Sequence, residues 1–333
     1  MNRIAVVILN YNGKELLEQF LPGVIRHSQE ARIIVADNNS SDDSVSFVKS
    51  NHQHVEVISI PKNLGFCGGY NFALKQVQAE FYVLLNSDVE VTEGWLSPLL
   101  AAFDDNKVGA AQPKILSYRE KQKFEYAGAA GGFIDFLGYP FCRGRVFNSI
   151  EEDHHQYDDT RNVFWATGAC IMIRSQLFHS LGAFDETFFA HMEEIDLCWR
   201  LNRSGFKVLC IPGSHVYHVG GATLDKSNPR KTYYNFRNGL MLVIKNWSPL
   251  QILTRLPIRV LLDWVAALKF LLEGHPKDFI AVWKAHLYVL FNFLSIANRR
   301  SSTMLYRVDN VYQNSIVFDH YLRRKRKFSE LKF

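Results

Sequence analysis

The sequence predicts an α/β protein: a doubly wound, mostly parallel sheet with a helical C-terminal extension. Three observations predict it. Short β-branched runs recur through the first 115 residues, at Ile4–Leu9, Ile33–Ala36, Val55–Ile60, Phe81–Leu85 and Val108–Ala111. Helix-like stretches lie between them, at Lys14–Ser28, Asp42–Asn51, Gly69–Gln78 and Trp95–Asp104. Apolar strands separated by helices imply a parallel sheet covered on both faces. From about Tyr233 the pattern changes to two long apolar segments of helical period, Ile252–Leu272 and Phe279–Ile296.

The remaining elements follow in order. Residues up to about 165 are rich in glycine and polar side chains and read as loops and short strands. Val163–Arg174 reads as one strand, a helix starts near Glu193 and runs through Leu201, and Val208–Ile211 reads as another strand. The two C-terminal helices are interrupted by Arg255, Arg259, Asp263, Lys269, Lys284 and His286. They either pack on the rest of the protein or lie in a membrane interface.

Composition narrows the field. With 47% hydrophobic and 21% charged residues, the chain is globular rather than disordered. The net charge of +5 matters less than its placement. Arg323–Lys327 is a dense basic run, and Arg299-Arg300 precedes it. It reads as a solvated tail, or as a segment attracted to anionic lipid head groups. No nucleic-acid-binding module is recognisable. The five cysteines form no Cys-x-x-Cys pair, which argues against structural zinc and a disulfide framework and for buried thiols in a cytosolic protein. The apolar N-terminal run stops at Asn10, too early for a signal peptide, and no 18-residue stretch is both apolar and uncharged.

In open α/β sheets, ligands bind beyond the carboxyl ends of the strands. The segments there are Asn10-Tyr11-Asn12-Gly13, Asp37-Asn38-Asn39-Ser40-Ser41-Asp42 and Asn86-Ser87-Asp88. Asp37 alone reads equally as a helix cap and Asp88 as a turn residue. Their shared placement at strand ends points instead to one crevice. Asn63-Leu64-Gly65 and the glycines up to Asn71 precede a helix, where backbone approaches a ligand closely and anions are favoured. This segment is neither a P-loop nor a dinucleotide fingerprint.

The densest block is Phe184-Asp185-Glu186 followed by His191-Met192-Glu193-Glu194-Ile195-Asp196-Leu197 and Arg200. Acids at a helix start complement its dipole. A carboxylate there that faces the crevice also has the chemistry of a general base. Downstream, His215 and His218 precede Gly220-Gly221. A histidine at that place either packs in the core or completes a metal site with Asp88, His218 being the better candidate.

These motifs, in this order, resemble the family 2 glycosyltransferases of the GT-A fold, and among them the bacterial rhamnosyltransferase-type members. The resemblance covers residues 4 to about 240. It implies a GT-A catalytic domain over residues 1–240 and a helical, basic extension over 241–333. It gives Asn10, Tyr11, Asp37, Asn63, Gly65 and Asn71 to the nucleotide, with Arg237 near the diphosphate. Asn86-Ser87-Asp88 takes the place of the family's D-x-D-like motif, so Asp88 and His218 are the implied ligands of a divalent cation, Mg²⁺ or Mn²⁺. Glu194 stands where the family has the aspartate base, with Glu193 and Asp196 as rival assignments. The implied reaction is inverting transfer of a sugar from a nucleotide-diphosphate donor to a hydroxyl of a glycan or lipid-linked acceptor, in cell-surface polysaccharide synthesis. The implied location is cytoplasmic, with a possible peripheral contact on the inner face of the membrane and no nucleic-acid partner. Trp165, Thr167 and His191 are candidates for the acceptor side. The alternatives are a sugar nucleotidyltransferase, for which the first loop is a poor triphosphate cradle, and a non-catalytic nucleotide- or sugar-binding module.

Overall fold

A computed structural model describes residues 3–220, 228–300 and 308–333. Gly221 of the expected double glycine lies outside them.

The chain begins as the sequence predicts. Strand β1 (Ile4–Asn10) is followed by α1 (Lys14–Arg26), β2 (Ala31–Asp37), α2 (Ser44–Asn51), β3 (Glu56–Ser59), α3 (Gly65–Leu74) and β4 (Phe81–Asn86). These four strands pair in parallel in the order β3-β2-β1-β4. Their side chains alternate between two apolar clusters, one on each side of the sheet. Val7, Ile34 and Leu84 point into one cluster, and Val6, Val35 and Val83 into the other. A strand buried on both faces has to be apolar throughout, which accounts for the unbroken β-branched runs.

Beyond β4 the sheet becomes mixed. Next come β5 (Val89–Val91), α4 (Leu96–Ala101) and β6 (Val108–Ser117), then the short strands β7 (Gly132–Asp135), β8 (Pro140–Cys142), β9 (Arg145–Val146), β10 (Ser149–Ile150) and β11 (Arg161–Val163). They are followed by β12 (Cys170–Arg174), α5 (Ser175–Ser180), α6 (Glu193–Arg203) and β13 (Lys207–His218). The large sheet runs β11-β13-β6-β12-β4-β1-β2-β3, with β5 also on β13. Within it, β12 is antiparallel to both β4 and β6, while β13 runs parallel to β6 and antiparallel to β11 and β5. The mostly parallel character expected of the sheet holds for β3-β2-β1-β4 and for the β6–β13 pair, with β12, β11 and β5 running antiparallel to their neighbours.

The single strand expected over Val163–Arg174 is two strands with a break between them. Phe164 and Trp165 leave the large sheet and hydrogen-bond to Gly132 of β7. The Trp165 ring covers Gly132 so closely that a Cβ there would lie 2.0 Å from it.

Four helices and a short strand complete the fold: α7 (Pro229–Asn246), α8 (Pro249–Leu272), α9 (Pro276–Asn298), β14 (Val311–Tyr312) and α10 (Ile316–Tyr321). The boundary expected at residue 240 falls inside α7. Helix α9 packs along α7, burying Ala281, Val282, Ala285 and Val289. It is also long and apolar enough, by length and composition, to cross a membrane. All five cysteines are buried and free.

The end of the chain returns to the middle. Strand β14 pairs in parallel with β7, closing the second sheet β10-β9-β8-β7-β14. Phe328 and Phe333 pack against Phe133, tilted and edge-on, with ring centres 5.1 and 4.9 Å away. The Asp135 carboxylate accepts hydrogen bonds from Leu137 N, Tyr139 N and, across 181 residues, Ile316 N. The basic run is anchored as well, since Arg323 and Lys325 both reach the buried Asp319. Replacing Asp135 by alanine would orphan three backbone donors in a buried place, a change that costs about 3 kcal/mol. We expect Asp135→Ala to lose that much unfolding free energy in urea titrations, seen as a lower midpoint.

Candidate active site

The ends of β1, β2 and β4 form one edge. Asn10 and Asp37 are register partners, and the buried Asn10 amide donates to Asp37 Oδ1 at 3.1 Å. Ser40 N donates to Asp37 Oδ2 at 3.0 Å. Both oxygens of Asp37 are thereby fixed in direction while keeping lone pairs for a further donor. The helix-capping alternative belongs to Asp42, which receives the Ser44 N–H and hydroxyl. Tyr11 is 47% exposed beside this edge.

Asn63, Gly65 and Asn71 shape the neighbouring wall. Asn63 Oδ1 accepts from Gly65 N at 2.9 Å and from the Asn38 amide at 3.2 Å. Gly65 has φ +70°, and a Cβ there would meet the Phe189 ring at 2.6 Å, so both its conformation and its space call for glycine. The Asn71 amide donates to Phe184 O and to Glu186 Oε1, and Asn71 Oδ1 accepts from Phe184 N. Asn71 ties α3 to the segment before the acidic helix, Gly65 packs against Phe189 of that segment, and Asn63 links the start of α3 to Asn38.

Asp88 and His218 meet, as the resemblance implies. Pairing of β13 with β5 sets His218 opposite Val89, and His218 Nε2 lies 3.1 Å from Asp88 Oδ1. On the other side of the ring, Glu125 Oε2 lies 3.4 Å from Nδ1. Burial opposes a charge on His218, but the two carboxylates outweigh it and lift its pKa to about 10. Burial would raise Asp88, yet its hydrogen bond and ion pair with His218 hold it below the ordinary carboxylate range. A carboxylate oxygen, an imidazole nitrogen and the nearby Asn86 amide suit Mg²⁺ or Mn²⁺, and a carboxylate behind a ligating histidine fixes which nitrogen faces the ion. Among the described residues, no three His, Cys, Asp or Glu side chains could hold a metal alone. Sequence reasoning missed Glu125, which lies in an irregular loop with no periodic signal.

His215 is half-buried, with its ring against Tyr217. Trp165 and Thr167, candidates for the acceptor side, are buried in packing. Trp165 Nε1 donates to Phe133 O, and the Thr167 hydroxyl donates to Ala127 O and accepts from Ala169 N.

The acidic helix begins beside the β4 edge. Asn86 N donates to Ala169 O, and a Cβ on the adjacent Gly168 would lie 3.9 Å from Glu193 Oε1. Five carboxylates precede or open this helix, and the structure separates their roles, Glu186 being the one that accepts from Asn71. Asp185 binds Lys245 and Thr187, which hold it at about 2 against burial. Asp196, a rival for the base, is fully buried and spent on Arg200, Lys245 and Asn246. Glu193 and Glu194 each keep one buried oxygen without a partner. Burial pushes Glu193 well above the ordinary range, the charge of Glu194 adding to it, and burial lifts Glu194 to about 7.

The backbone entering this helix is left-handed at Phe189 (φ 65°), His191 (φ 71°) and Met192 (φ 74°). Helix α7 holds it in place. The Asn238 amide donates to the carbonyls of Phe188, Ala190 and His191. Arg237, expected near a diphosphate, donates to Thr187 O and Phe188 O and lies over the rings of Tyr234 and Tyr288. Its guanidinium is used to fix the loop. His191 sits in the loop with Nε2 unpartnered, and burial with nearby Lys231 lowers its pKa to about 4.

A carboxyl whose folded pKa lies above its unfolded value stabilises the fold at low pH, and that contribution is lost as pH rises through the folded pKa. For Glu194 the window runs from about 4.5 to about 7. Glu194→Gln, which carries no charge, should melt above the wild type at pH 8, and the difference should shrink toward pH 5 in thermal unfolding scans.

Comparisons with known proteins bear on the family and the fold. Residues 5–182 match the family described as Glycosyl transferase family 2. The O-antigen biosynthesis protein RfbC of Myxococcus xanthus is 34% identical over 157 residues, 46% of this chain and 12% of RfbC, so the chain spans only a small part of that relative. The N-acetylglucosaminyl-diphospho-decaprenol L-rhamnosyltransferase of Mycobacterium tuberculosis is 26% identical, with 65% of this chain and 75% of the relative covered. The solved structure of the mannosyltransferase PcManGT from Pyrobaculum calidifontis, in complex with GDP-Man and Mn²⁺, superposes with a TM-score of 0.54 at 15% identity, covering 89% of this chain and 80% of that one. The fold is of the GT-A type, and the chain belongs to glycosyl transferase family 2.

Proposed function

We propose that this protein is an inverting glycosyltransferase that moves a sugar from a nucleotide-diphosphate donor to a hydroxyl of a glycan or lipid-linked acceptor, in the synthesis of a cell-surface polysaccharide. Residues 1–240 carry the chemistry and residues 241–333 form a basic extension. The observation that carries this reading is the division of labour among carboxylates. Asp185 and Asp196 are ion-paired, while Glu193, near Gly168 by the end of β4, and its neighbour Glu194, lifted to about 7, each keep a buried oxygen without a partner.

The roles follow from the chemistry of each group. Asp37, its oxygens oriented by Asn10 and Ser40, accepts hydrogen bonds from the nucleotide base. Asn63, Gly65 and Asn71 shape the wall beside the nucleotide, with Tyr11 at its mouth. Asp88 and His218, its imidazole having given up a proton, would hold a divalent cation, which when bound would supply positive charge to the departing diphosphate. Arg237 acts on the diphosphate side only through the loop it fixes. Glu194 takes the proton of the acceptor hydroxyl as its oxygen bonds to the anomeric carbon. The bond to the diphosphate breaks, and its electron pair leaves with the phosphate. One such displacement inverts the anomeric carbon, and general-base help contributes roughly 10²–10⁴-fold in rate. The relatives named for O-antigen biosynthesis and for rhamnosyl transfer to a diphospho-decaprenol carrier support this acceptor class. The buried, free cysteines support a cytoplasmic location, with peripheral contact at the inner face of the membrane.

Glu194→Gln should lower turnover by roughly 10²-fold or more while leaving donor-nucleotide affinity near the wild-type value in calorimetry. Near-normal transfer by this variant, with loss in Glu193→Gln, would move the base to Glu193. In the wild type, kcat/KM should fall with acid below about pH 7, where Glu194 is protonated. Asp88→Ala should abolish the metal dependence of nucleotide binding. Equal binding with and without Mn²⁺ in the unmutated protein would overturn the cation assignment.

A further inference from the structure

Helices α8 and α9 each bury one face and expose the other. On α8, Arg259, Asp263 and Ala267 point inward, while Leu250, Leu261, Val265, Leu268 and Leu272 form an exposed row at helical spacing. On α9, Ile280, Trp283, Leu290, Phe291 and Leu294 do the same. Phe291 is 80% exposed and Leu272 79%. Together these side chains expose on the order of 1,000 Å² of apolar surface, against a few hundred for the largest patch on an ordinary monomer.

Cations border this surface. Lys284 is exposed on α9 beside Trp283. Lys269 of α8 lies 5.4 Å from the ring centre of Tyr321, so the end of α8 meets α10 and the Arg323–Lys327 run that follows it. Exposed Phe318, Tyr321 and Leu322 add apolar groups at that junction. Residues 241–333 hold fifteen of the chain's 38 Lys and Arg but six of its 33 Asp and Glu, so its positive excess resides in this part.

We propose that the outer faces of α8 and α9, with the Arg323–Lys327 run, dock in the plane of an anionic lipid bilayer. This rests on the peripheral membrane contact proposed above and names its face and its lipid. Both helices keep one side packed on the protein, which fits helices lying flat with one apolar face in the acyl boundary. The cations then meet anionic head groups, each attracted appreciably near the surface. A second copy of the chain fits less well, because a two-fold contact would set the basic run against itself. On the inner side, Tyr288 of α9 lies against Arg237, which holds the loop that leads into α6.

The test is flotation of the full chain with vesicles of phosphatidylcholine alone, or with about 30 mol% phosphatidylglycerol, at about 0.1 and 0.5 M salt. Two variants accompany it: Leu261→Gln/Phe291→Gln/Leu294→Gln on the apolar rows, and Lys284→Gln/Arg324→Gln/Lys327→Gln among the cations. All six positions are exposed, and circular dichroism with binding of donor nucleotide checks that each variant is folded. We expect binding to anionic vesicles only, weakened by salt, with each variant's partition coefficient reduced at least about tenfold. Equal binding to neutral and anionic vesicles would overturn the charge-guided docking and leave membrane contact standing. No binding to either, in protein that still binds donor nucleotide, would overturn both while leaving the glycosyltransferase reading intact. Dimers that the apolar variant dissociates, without vesicle binding, would assign the face to a second copy and overturn the proposal.

Discussion

Between the last aromatic of the Phe184–Phe189 segment and the first turn of α6, the backbone passes three times through a left-handed conformation. Each such residue without glycine's freedom costs on the order of 1–3 kcal/mol. The loop persists because every carbonyl around it is held: by Asn238 and Arg237 from α7, and by Phe66 N and Cys67 N from α3, both of which donate to Phe189 O. Straightening it would rotate the first turn of α6 and carry Glu193 away from Gly168. The site's acid–base character therefore depends on a constraint supplied by two helices that contribute no carboxylate of their own.

The same region shows how burial can leave two neighbouring acids available. Five carboxylates stand in or just before the first turns of α6; Glu186 is tied to Asn71, and among the described residues the cations that reach the others are Lys245 and Arg200 in the core and Arg299 at the surface. Lys245 bridges Asp185 and Asp196. Glu193 and Glu194 remain without a cation and share a low-dielectric site, so their protons are held toward neutral pH. Asp88, Glu125 and His218 form the contrasting set, in which a histidine between two carboxylates keeps charge buried at modest cost.

Much of this was legible in the sequence. The first four strands and their helices follow directly from buried, β-branched runs, and the polar residues that end them do form one edge. The acidic block and His218 stood out by chemistry and order. Less legible were features set by distant partners. The break at Phe164–Ala169 exists because Trp165 covers a glycine over 30 residues away, which no local pattern encodes. Arg237 reads as a phosphate ligand by motif, but its guanidinium is engaged by two carbonyls, the Asn238 side-chain oxygen and three tyrosine rings. Glu125 lies in a loop where neither period nor motif marks it. Strand β5, three residues long, is fixed by its pairing with β13 rather than by its own propensity.

The pairing of β14 with β7 has a bearing on how such proteins exchange parts. The recognisable family region ends near residue 182, yet the second sheet takes its edge strand from residues 311–312 and its aromatic filling from Phe328 and Phe333. A chimera spliced at the family boundary would leave β7 with an open edge and Asp135 without its distant donor. Recombination among relatives is thus limited to C-terminal segments whose returning strand matches the register at Ile134 and Asp135. The extension and the Gly132–Ile150 insert would have to be inherited as a pair.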